Sequence, residues 1–143
     1  MAGAHVRAQI AADFITINIR QHDVQRDQRY RLFRRDGYRV LTANSVSEAF
    51  DLLASNPVQV IVSDQRMPDM SGTEFLGRVR DLYPDTIRMV LSGYTDVTTI
   101  TEAINRGAIY RFLTKPWNDE ELREHIHAAF RAFERRAAGE AGY

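Results

Sequence analysis

Three polar residues stand where apolar runs of this sequence give way to turns. Asp64 ends "VIVSD", Ser92 ends "VLS" before Gly93, and Lys115 follows "FLT" before Pro116. If these side chains meet, they suit a phosphoryl group, because a carboxylate can accept it while a hydroxyl and an ammonium bind its oxygens. Lys115 is the only lysine of the chain, which indicates a task that arginine does not fill. The three residues are therefore the candidate reactive site.

The elements that would position these residues alternate in type. After Gly37, short apolar runs alternate with helical segments, a pattern typical of βα units around a parallel sheet. With "FITINI" at 14–19 as the first strand, the sequence predicts an α/β fold, a doubly wound five-stranded parallel sheet flanked by five helices. Ligands of such sheets bind outside the carboxyl ends of the strands, where Asp64, Ser92 and Lys115 stand. The other predicted strands are 38–43, 58–63, 87–92 and 109–114.

Capping residues mark the predicted helix boundaries. Ser45 and Glu48 have the spacing of a capping box, and Asn118 and Glu121 have that of an N-cap residue and the third helical residue. The segment 20–37 should form the first helix, but few of its residues are apolar and its first half lacks a continuous buried stripe. The remaining predicted helices lie within 44–56, 73–84, 96–108 and 118–133.

The composition is that of a single globular domain. The chain has 143 residues, of which 44% are hydrophobic and 27% charged, and a domain of this size buries roughly 68% of its unfolded surface. The 19 basic residues balance the 19 acidic ones, which argues against direct binding of nucleic acid. The chain has no cysteine, no run long enough to span a membrane and no signal-peptide core, so we predict a cytoplasmic location.

With the motifs "SDQRMPDMSG", "LSGYTD" and "RFLTKPW" in this order and separation, the chain over 14–133 resembles the receiver domain of a two-component response regulator. The resemblance implies a flavodoxin-like fold. It implies that Asp64 is the phosphoacceptor, Ser92 the switch hydroxyl and Lys115 the phosphate-binding lysine. Phe112, three residues before the lysine, matches the switch aromatic residue of the family.

The resemblance also implies a backbone cradle for the phosphoryl oxygens and a division of the chain. The backbone at Gln65 and Gly93 would bind phosphate. We expect a flexible N-terminal tail over 1–12, the receiver domain over 13–133, and a C-terminal tail or linker toward an output domain over 134–143.

The expected magnesium site departs from the family. Receiver domains hold Mg²⁺ with the phosphoacceptor and an acidic pair at the end of the first strand, but the family's spacing puts Arg20 and Gln21 there. The remaining ligands would be Asp64, the backbone carbonyl of Arg66 and water. That is a thin shell for an ion that prefers near-octahedral oxygen ligands, so Mg²⁺ binding stays open.

Three explanations for the substituted pair remain. Asp23, or Asp13 at the opposite end of the strand, can serve as a substitute acid. Alternatively, Arg20 pairs with Asp64 and replaces the charge of the metal. Thirdly, the whole of 14–31 is an altered region on an otherwise regular receiver domain.

The residues and the resemblance together predict a signalling domain, not a turnover enzyme. A histidine kinase or phosphotransfer protein would donate the phosphoryl group to Asp64. The face of the fourth helix, fifth strand and fifth helix would then switch, control an output and serve as a homodimer contact. The alternative, favoured by Arg20 and Gln21, is a phosphorylation-independent interaction module. A phosphatase is disfavoured because Gln65 and Arg66 follow the acid, where such enzymes carry a second acid two residues on.

Overall fold

The computed structural model describes residues 12–17, 31, 33–67, 69–93, 97–114 and 118–139. Its strands are β1 (Ala12–Ile17), β2 (Tyr38–Ala43), β3 (Val58–Asp64), β4 (Ile87–Ser92) and β5 (Arg111–Thr114). Residues 31 and 33–35 are helical and are named α1. The helices that follow are α2 (Val46–Ser55), α3 (Gly72–Leu82), α4 (Val97–Asn105) and α5 (Asp119–Ala137).

The strands form one parallel sheet in the order β2-β1-β3-β4-β5. The chain runs outward in one direction from β1 to β2, then returns past β1 and continues to β5, so the predicted doubly wound α/β class is confirmed. β4 is buried at every position and β3 at all but one, as expected of parallel strands that are covered by helices on both faces.

The first strand is described over Ala12–Ile17, so it includes two residues before the predicted start at 14, whereas residues 18 and 19 of the predicted strand lie outside the described residues. Its described pairs run from Ala12 opposite Tyr38 to Ile17 opposite Ser63 of β3 and Ala43 of β2. The prediction of 14–19 followed the apolar letters, whereas ladder pairing uses backbone groups that every non-proline residue carries. The predicted start of the strand at Phe14 was therefore wrong.

The core consists of two layers, one on each face of the sheet. Ile61 of β3 and Val90 of β4 point toward α2, α3 and α4, whereas Val62 and Met89, on the same strands, pack toward α5 and Phe33 of α1. This alternation follows from the two-residue period of strand side chains. Each layer is made almost entirely of aliphatic and aromatic side chains, so burial of apolar surface fixes the helices on both faces.

Both predicted N-cap residues are confirmed, but the second half of the capping box is not, because Glu48 Oε2 accepts from Asn44 N at 3.0 Å and not from Ser45 N. The Ser45 hydroxyl accepts a hydrogen bond from Glu48 N at 3.1 Å, and Asn118 Oδ1 accepts one from Glu121 N at 2.7 Å. Ser71 caps α3 in the same way through Glu74 N at 3.2 Å, a cap that the sequence reading did not identify. These caps set where α2, α3 and α5 begin, and the loops before α3 and α5 follow the carboxyl ends of β3 and β5. Within the described part of the chain, every helix is too short or too polar to span a lipid bilayer.

Candidate functional site

Asp64 and Ser92 end two neighbouring strands at the carboxyl edge of the sheet. Asp64 is the last residue of β3 and pairs in register with Leu91, and Ser92 follows directly as the last residue of β4. Neighbouring strands are about 4.8 Å apart, so the carboxylate and the hydroxyl belong to adjacent strand ends. Both residues are buried, at 8% and 2% exposure. The site is therefore a largely enclosed edge and not an open loop.

The Ser92 hydroxyl donates a hydrogen bond to the carbonyl oxygen of Gly93 at 3.0 Å. Ser92 also pairs in register with Thr114, the last residue of β5. Lys115 comes next in the sequence but lies outside the described residues, as do its neighbours to 117. The backbone register thus brings Asp64, Ser92 and the residue before Lys115 to one edge.

Gln65 fixes the loop that leaves Asp64. Its amide oxygen accepts from Thr73 N at 2.9 Å, its amide nitrogen donates to Thr73 Oγ1 at 3.2 Å, and its backbone carbonyl accepts from Gly72 N at 2.8 Å. The backbone N–H of Gln65 donates to Leu91 O at 2.9 Å. In this conformation the N–H of Gln65 continues the hydrogen bonding between β3 and β4. To bind a phosphoryl oxygen, this N–H would have to share or exchange its present acceptor, the carbonyl oxygen of Leu91.

Gly72 makes the closest backbone approach at the site. A Cβ atom built on Gly72 would lie 2.3 Å from the carbonyl oxygen of Asp64 and 3.0 Å from Cα of Gln65. Only a residue without Cβ fits there. The sequence reading did not single out this position, although the glycine of "DQRMPDMSG" was a visible signal for a close backbone approach.

Phe112 is half-buried in β5, opposite Val90 of β4, and packs against the core layer that contains α4. Two further side chains of the same region are joined across β5 and α5, because Arg111 Nη1 lies 2.6 Å from His125 Nδ1. Burial, and then the charge of Arg111, lower the pKa of His125, which favours a neutral imidazole that accepts from the guanidinium. These contacts give the α4-β5-α5 face a defined polar centre.

The residues expected to complete a magnesium site are not brought together by the described part of the structure. Arg20, Gln21 and Asp23 lie outside the described residues. Asp13 pairs with Val58 at the opposite end of β3, six residues from Asp64, which is about 20 Å along a strand. Asp13 is therefore not a substitute ligand.

Among the residues described, no group of three acidic, histidine or cysteine side chains is arranged to hold a metal ion. Asp64 supplies one carboxylate, and Arg66 is exposed and can offer its backbone carbonyl. The described residues alone do not fit the oxygen shell that Mg²⁺ requires.

An arginine that the sequence reading passed over is buried at the start of β4. Arg88 is 5% exposed and donates to the backbone carbonyls of Ala108 at 2.8 Å, Thr86 at 2.7 Å, Gly107 at 3.0 Å and Pro84 at 3.2 Å. Arg88 lies four residues before Ser92, near the opposite end of β4. Its position as the one charged residue in the predicted strand "IRMVLS" was the available signal.

The model of the response regulator receiver domain family matches residues 18–127 of the chain. The chain therefore belongs to the response regulator receiver domain family, the signal-receiving domains of two-component systems. Receiver domains are signalling domains that interact with histidine kinases or phosphotransfer proteins, and they generally bind Mg²⁺ at an acidic pocket.

Relatives and solved structures agree with this assignment. The chain is 44% identical over 95 residues to the hydrogenase transcriptional regulatory protein HoxA of Cupriavidus necator, which is 66% of this chain and 20% of that protein. It is 36% identical over 118 residues to HoxA of Bradyrhizobium diazoefficiens, covering 82% of this chain and 24% of that protein. The chain thus spans between a fifth and a quarter of the length of these transcriptional regulators.

The signal receiver domain of an HD domain-containing protein from Pseudomonas fluorescens Pf-5 superposes with a TM-score of 0.80 at 32% identity, covering 90% of this chain and 93% of that one. The beryllofluoride-activated NtrC4 receiver domain, a dimer, superposes with a TM-score of 0.76 at 27% identity, covering 85% and 98%.

Proposed function

We propose that this domain accepts a phosphoryl group on Asp64 from a histidine kinase or a phosphotransfer protein. The observation that carries the proposal is the register of β3, β4 and β5, which pairs Asp64 with Leu91, the residue before Ser92, and pairs Ser92 with Thr114, the residue before Lys115. An acceptor carboxylate with a hydroxyl and an ammonium on the next two strand ends can receive a phosphoryl group and bind its oxygens.

The transfer is a displacement at phosphorus. A carboxylate oxygen of Asp64 forms the new O–P bond while the N–P bond to the donor histidine breaks, and the imidazole nitrogen leaves with the electron pair. The acyl phosphate carries added negative charge, which Lys115 is proposed to balance.

The switch begins at Ser92. Its hydroxyl leaves the carbonyl of Gly93, where it now donates at 3.0 Å, and donates to a phosphoryl oxygen instead. Phe112, half-buried two residues before Thr114, is proposed to repack with this movement. The α4-β5-α5 face, with Arg111 and His125 at its centre, would change as a result and contact an output or a second copy of the chain.

The decisive experiment is phosphorylation of the purified domain with acetyl phosphate and Mg²⁺, read by intact mass spectrometry. We expect one phosphate adduct on the wild type and none on Asp64→Asn, which keeps the size of the side chain but loses the acceptor oxygen. Absence of an adduct on the wild type, where a second receiver domain is labelled in parallel, would contradict the proposal.

Ser92→Ala serves as a matched variant for the switch. It should still acquire phosphate, because the acceptor is intact, but the amide resonances of Arg111 and His125 should move less than in the phosphorylated wild type. Repeating the labelling with EDTA tests for a required metal, since the described residues supply one carboxylate for it.

The second candidate is a phosphorylation-independent interaction module with the receiver fold. Arg20 and Gln21 in place of an acidic pair, together with the single carboxylate at the described edge, favour it. Under this alternative the wild type and Asp64→Asn would bind an output partner equally well, with or without acetyl phosphate. The HoxA relatives are named as transcriptional regulators, so control of transcription is the proposed output.

A further inference from the structure

We propose that a cavity at the amino ends of the strands, opposite the end of the sheet that carries Asp64, binds a small organic anion. Arg88 and Arg136 would hold the oxyanion, and Ile104 and Ile109 would contact the apolar body of the ligand. The cavity measures about 230 Å³ and lies between the start of β4, the end of α4 and the last turn of α5. Arg88 and Ser92 are four residues apart on β4, which separates the two sites by about 13 Å along the strand.

The first support is the state of Arg88. All four of its hydrogen-bond acceptors in the described structure are backbone carbonyls, and a guanidinium has five N–H donors. Carbonyl dipoles offset a buried charge only in part, and buried charges are usually balanced by an opposite charge. An oxyanion in the cavity would supply that charge and accept the fifth N–H.

The second support is the electrostatic environment of the two guanidinium groups. Burial, and then the charges of Arg136 and Arg80, lower the pKa of Arg88 to about 10, and burial lowers the pKa of Arg136. Both groups are therefore desolvated in their charged form, and an anion in the cavity beside them would stabilise that form.

The third support is the shape and lining of the cavity. Ile104, Ile109 and the ring of Tyr110 contribute apolar surface beside the two guanidinium groups. A ligand that matches both the apolar surface and the guanidinium groups needs a planar or compact apolar body and one oxyanion. Guanidinium groups bind carboxylate and phosphate groups through bidentate hydrogen bonds. The volume is below the 300–1,000 Å³ of sites for drug-sized ligands, so the ligand is small.

Such a ligand would bridge the end of α4, through Ile104 and Gly107, to the end of α5, through Arg136. Both helices belong to the face that is proposed to switch. The inference does not depend on phosphorylation of Asp64, and the test below contains no phosphodonor.

The test is a titration of the ¹⁵N-labelled domain with benzoate, followed by amide NMR. We expect saturable shifts concentrated at Gly107, Ile109 and Tyr110. Benzamide, which has the same shape without charge, should bind about tenfold more weakly, because it loses a charged hydrogen bond. Phenyl phosphate, run in parallel, identifies which oxyanion is preferred.

Arg136→Gln should weaken benzoate binding about tenfold, whereas Arg135→Gln, one residue earlier on α5 and outside the cavity lining, should leave it unchanged. Arg136→Lys keeps the charge but loses the fork and should weaken binding less than Arg136→Gln, so it tests the geometry if the glutamine variant unfolds. Equal shifts with benzamide, shifts scattered over the surface, or unchanged binding in both Arg136 variants would overturn the proposal.

Discussion

Gly72 holds the backbone of the loop after Asp64 in place by having no side chain. Because a Cβ at this position would lie 2.3 Å from the Asp64 carbonyl oxygen, Gly72→Ala must displace the backbone that carries the carboxylate. We expect it to lower the free energy of unfolding by about 2 kcal/mol and to slow phosphorylation by acetyl phosphate. Urea denaturation and timed mass spectrometry measure the two effects.

Gly77→Ala is the matched control in the same helix. A Cβ built on Gly77 meets no atom within 4 Å, and alanine is preferred over glycine in a helix interior by about 1 kcal/mol. Gly77→Ala should therefore stabilise the domain. Equal stability of the two alanine variants would refute the role assigned to Gly72.

At this scale the sequence marked the proposed reactive residues but not the residues that support them. Asp64 and Ser92 were recognisable because they end apolar strands with unusual chemistry. Gly72 and Arg88 contact backbone atoms of residues that are distant in the sequence and are brought near only by the fold. Their structural roles could therefore not be predicted from the neighbouring residues of the sequence.

Two arginines, Arg80 of α3 and Arg88 of β4, hold the segment 106–108 that follows α4. Arg80 Nη1 donates to Arg106 O at 2.7 Å, and Arg88 donates to the carbonyls of Gly107 and Ala108. These carbonyls follow the last turn of α4, where helix carbonyls lack intrahelical partners. These contacts fix the carboxyl end of α4. The amino end of α4 follows β4, the strand that ends at Ser92.

Arg88→Met should therefore cost about 3 kcal/mol in the free energy of unfolding, because it leaves buried carbonyls unsatisfied. The matched control is Arg78→Met on α3, where the arginine is exposed and 3.6 Å from Glu74 at i,i+4. Such a surface pair contributes about 0.5 kcal/mol or less. Comparable losses in the two variants, measured by urea denaturation, would contradict the role of Arg88 in holding this segment.

A charged cluster joins the segment after α1 to α5. Arg123 contacts both carboxylate oxygens of Asp36, at 2.8 and 3.0 Å, and these hydrogen bonds hold the pKa of Asp36 below its ordinary value of 3.8. His127 Nε2 lies 3.3 Å from the same carboxylate, and its Nδ1 contacts the hydroxyl of Tyr38. Tyr38 also stacks on Phe130 of α5.

Because the pKa of Asp36 is lower in the folded chain than in the unfolded one, the cluster stabilises the fold above about pH 4 and loses this effect as the pH falls through the folded pKa. Asp36→Asn should lower the free energy of unfolding by about 1 kcal/mol at pH 7, and the difference from wild type should shrink toward pH 3. Asp51→Asn, an exposed carboxyl change on α2, is the control. A difference that is constant with pH would refute the linkage.

Structural features could be predicted from the sequence where they depend on residues close together in the chain. They could not be predicted where they depend on distant residues. The caps at Ser45 and Asn118 involve residues three apart and were predictable. The pairing of Asp36 with Arg123 spans 87 residues, and the edge of β1 is set by its two neighbouring strands. Neither has a local signature.

For the molecule as a whole, α5 is the main cover, together with Phe33 of α1, of one face of the sheet. Val60, Val62 and Met89 are buried beneath it together with Leu122, Ile126 and other residues of the helix. A chain ending at residue 117 should therefore lose its cooperative urea transition, since this layer would face water. A chain ending at 139, which keeps every described element, should retain the transition, and cooperative unfolding of the shorter chain would show that α5 is dispensable.

The two faces of the sheet are also completed at different times during synthesis. The layer beneath α2, α3 and α4 is closed by residues up to Ile109, whereas the layer beneath α5 needs residues through Ala132. On the ribosome, where amino-terminal parts emerge first, the nascent domain passes through a stage with one face covered and the other bare. The α5 face is thus the surface on which a chaperone would meet the unfinished chain.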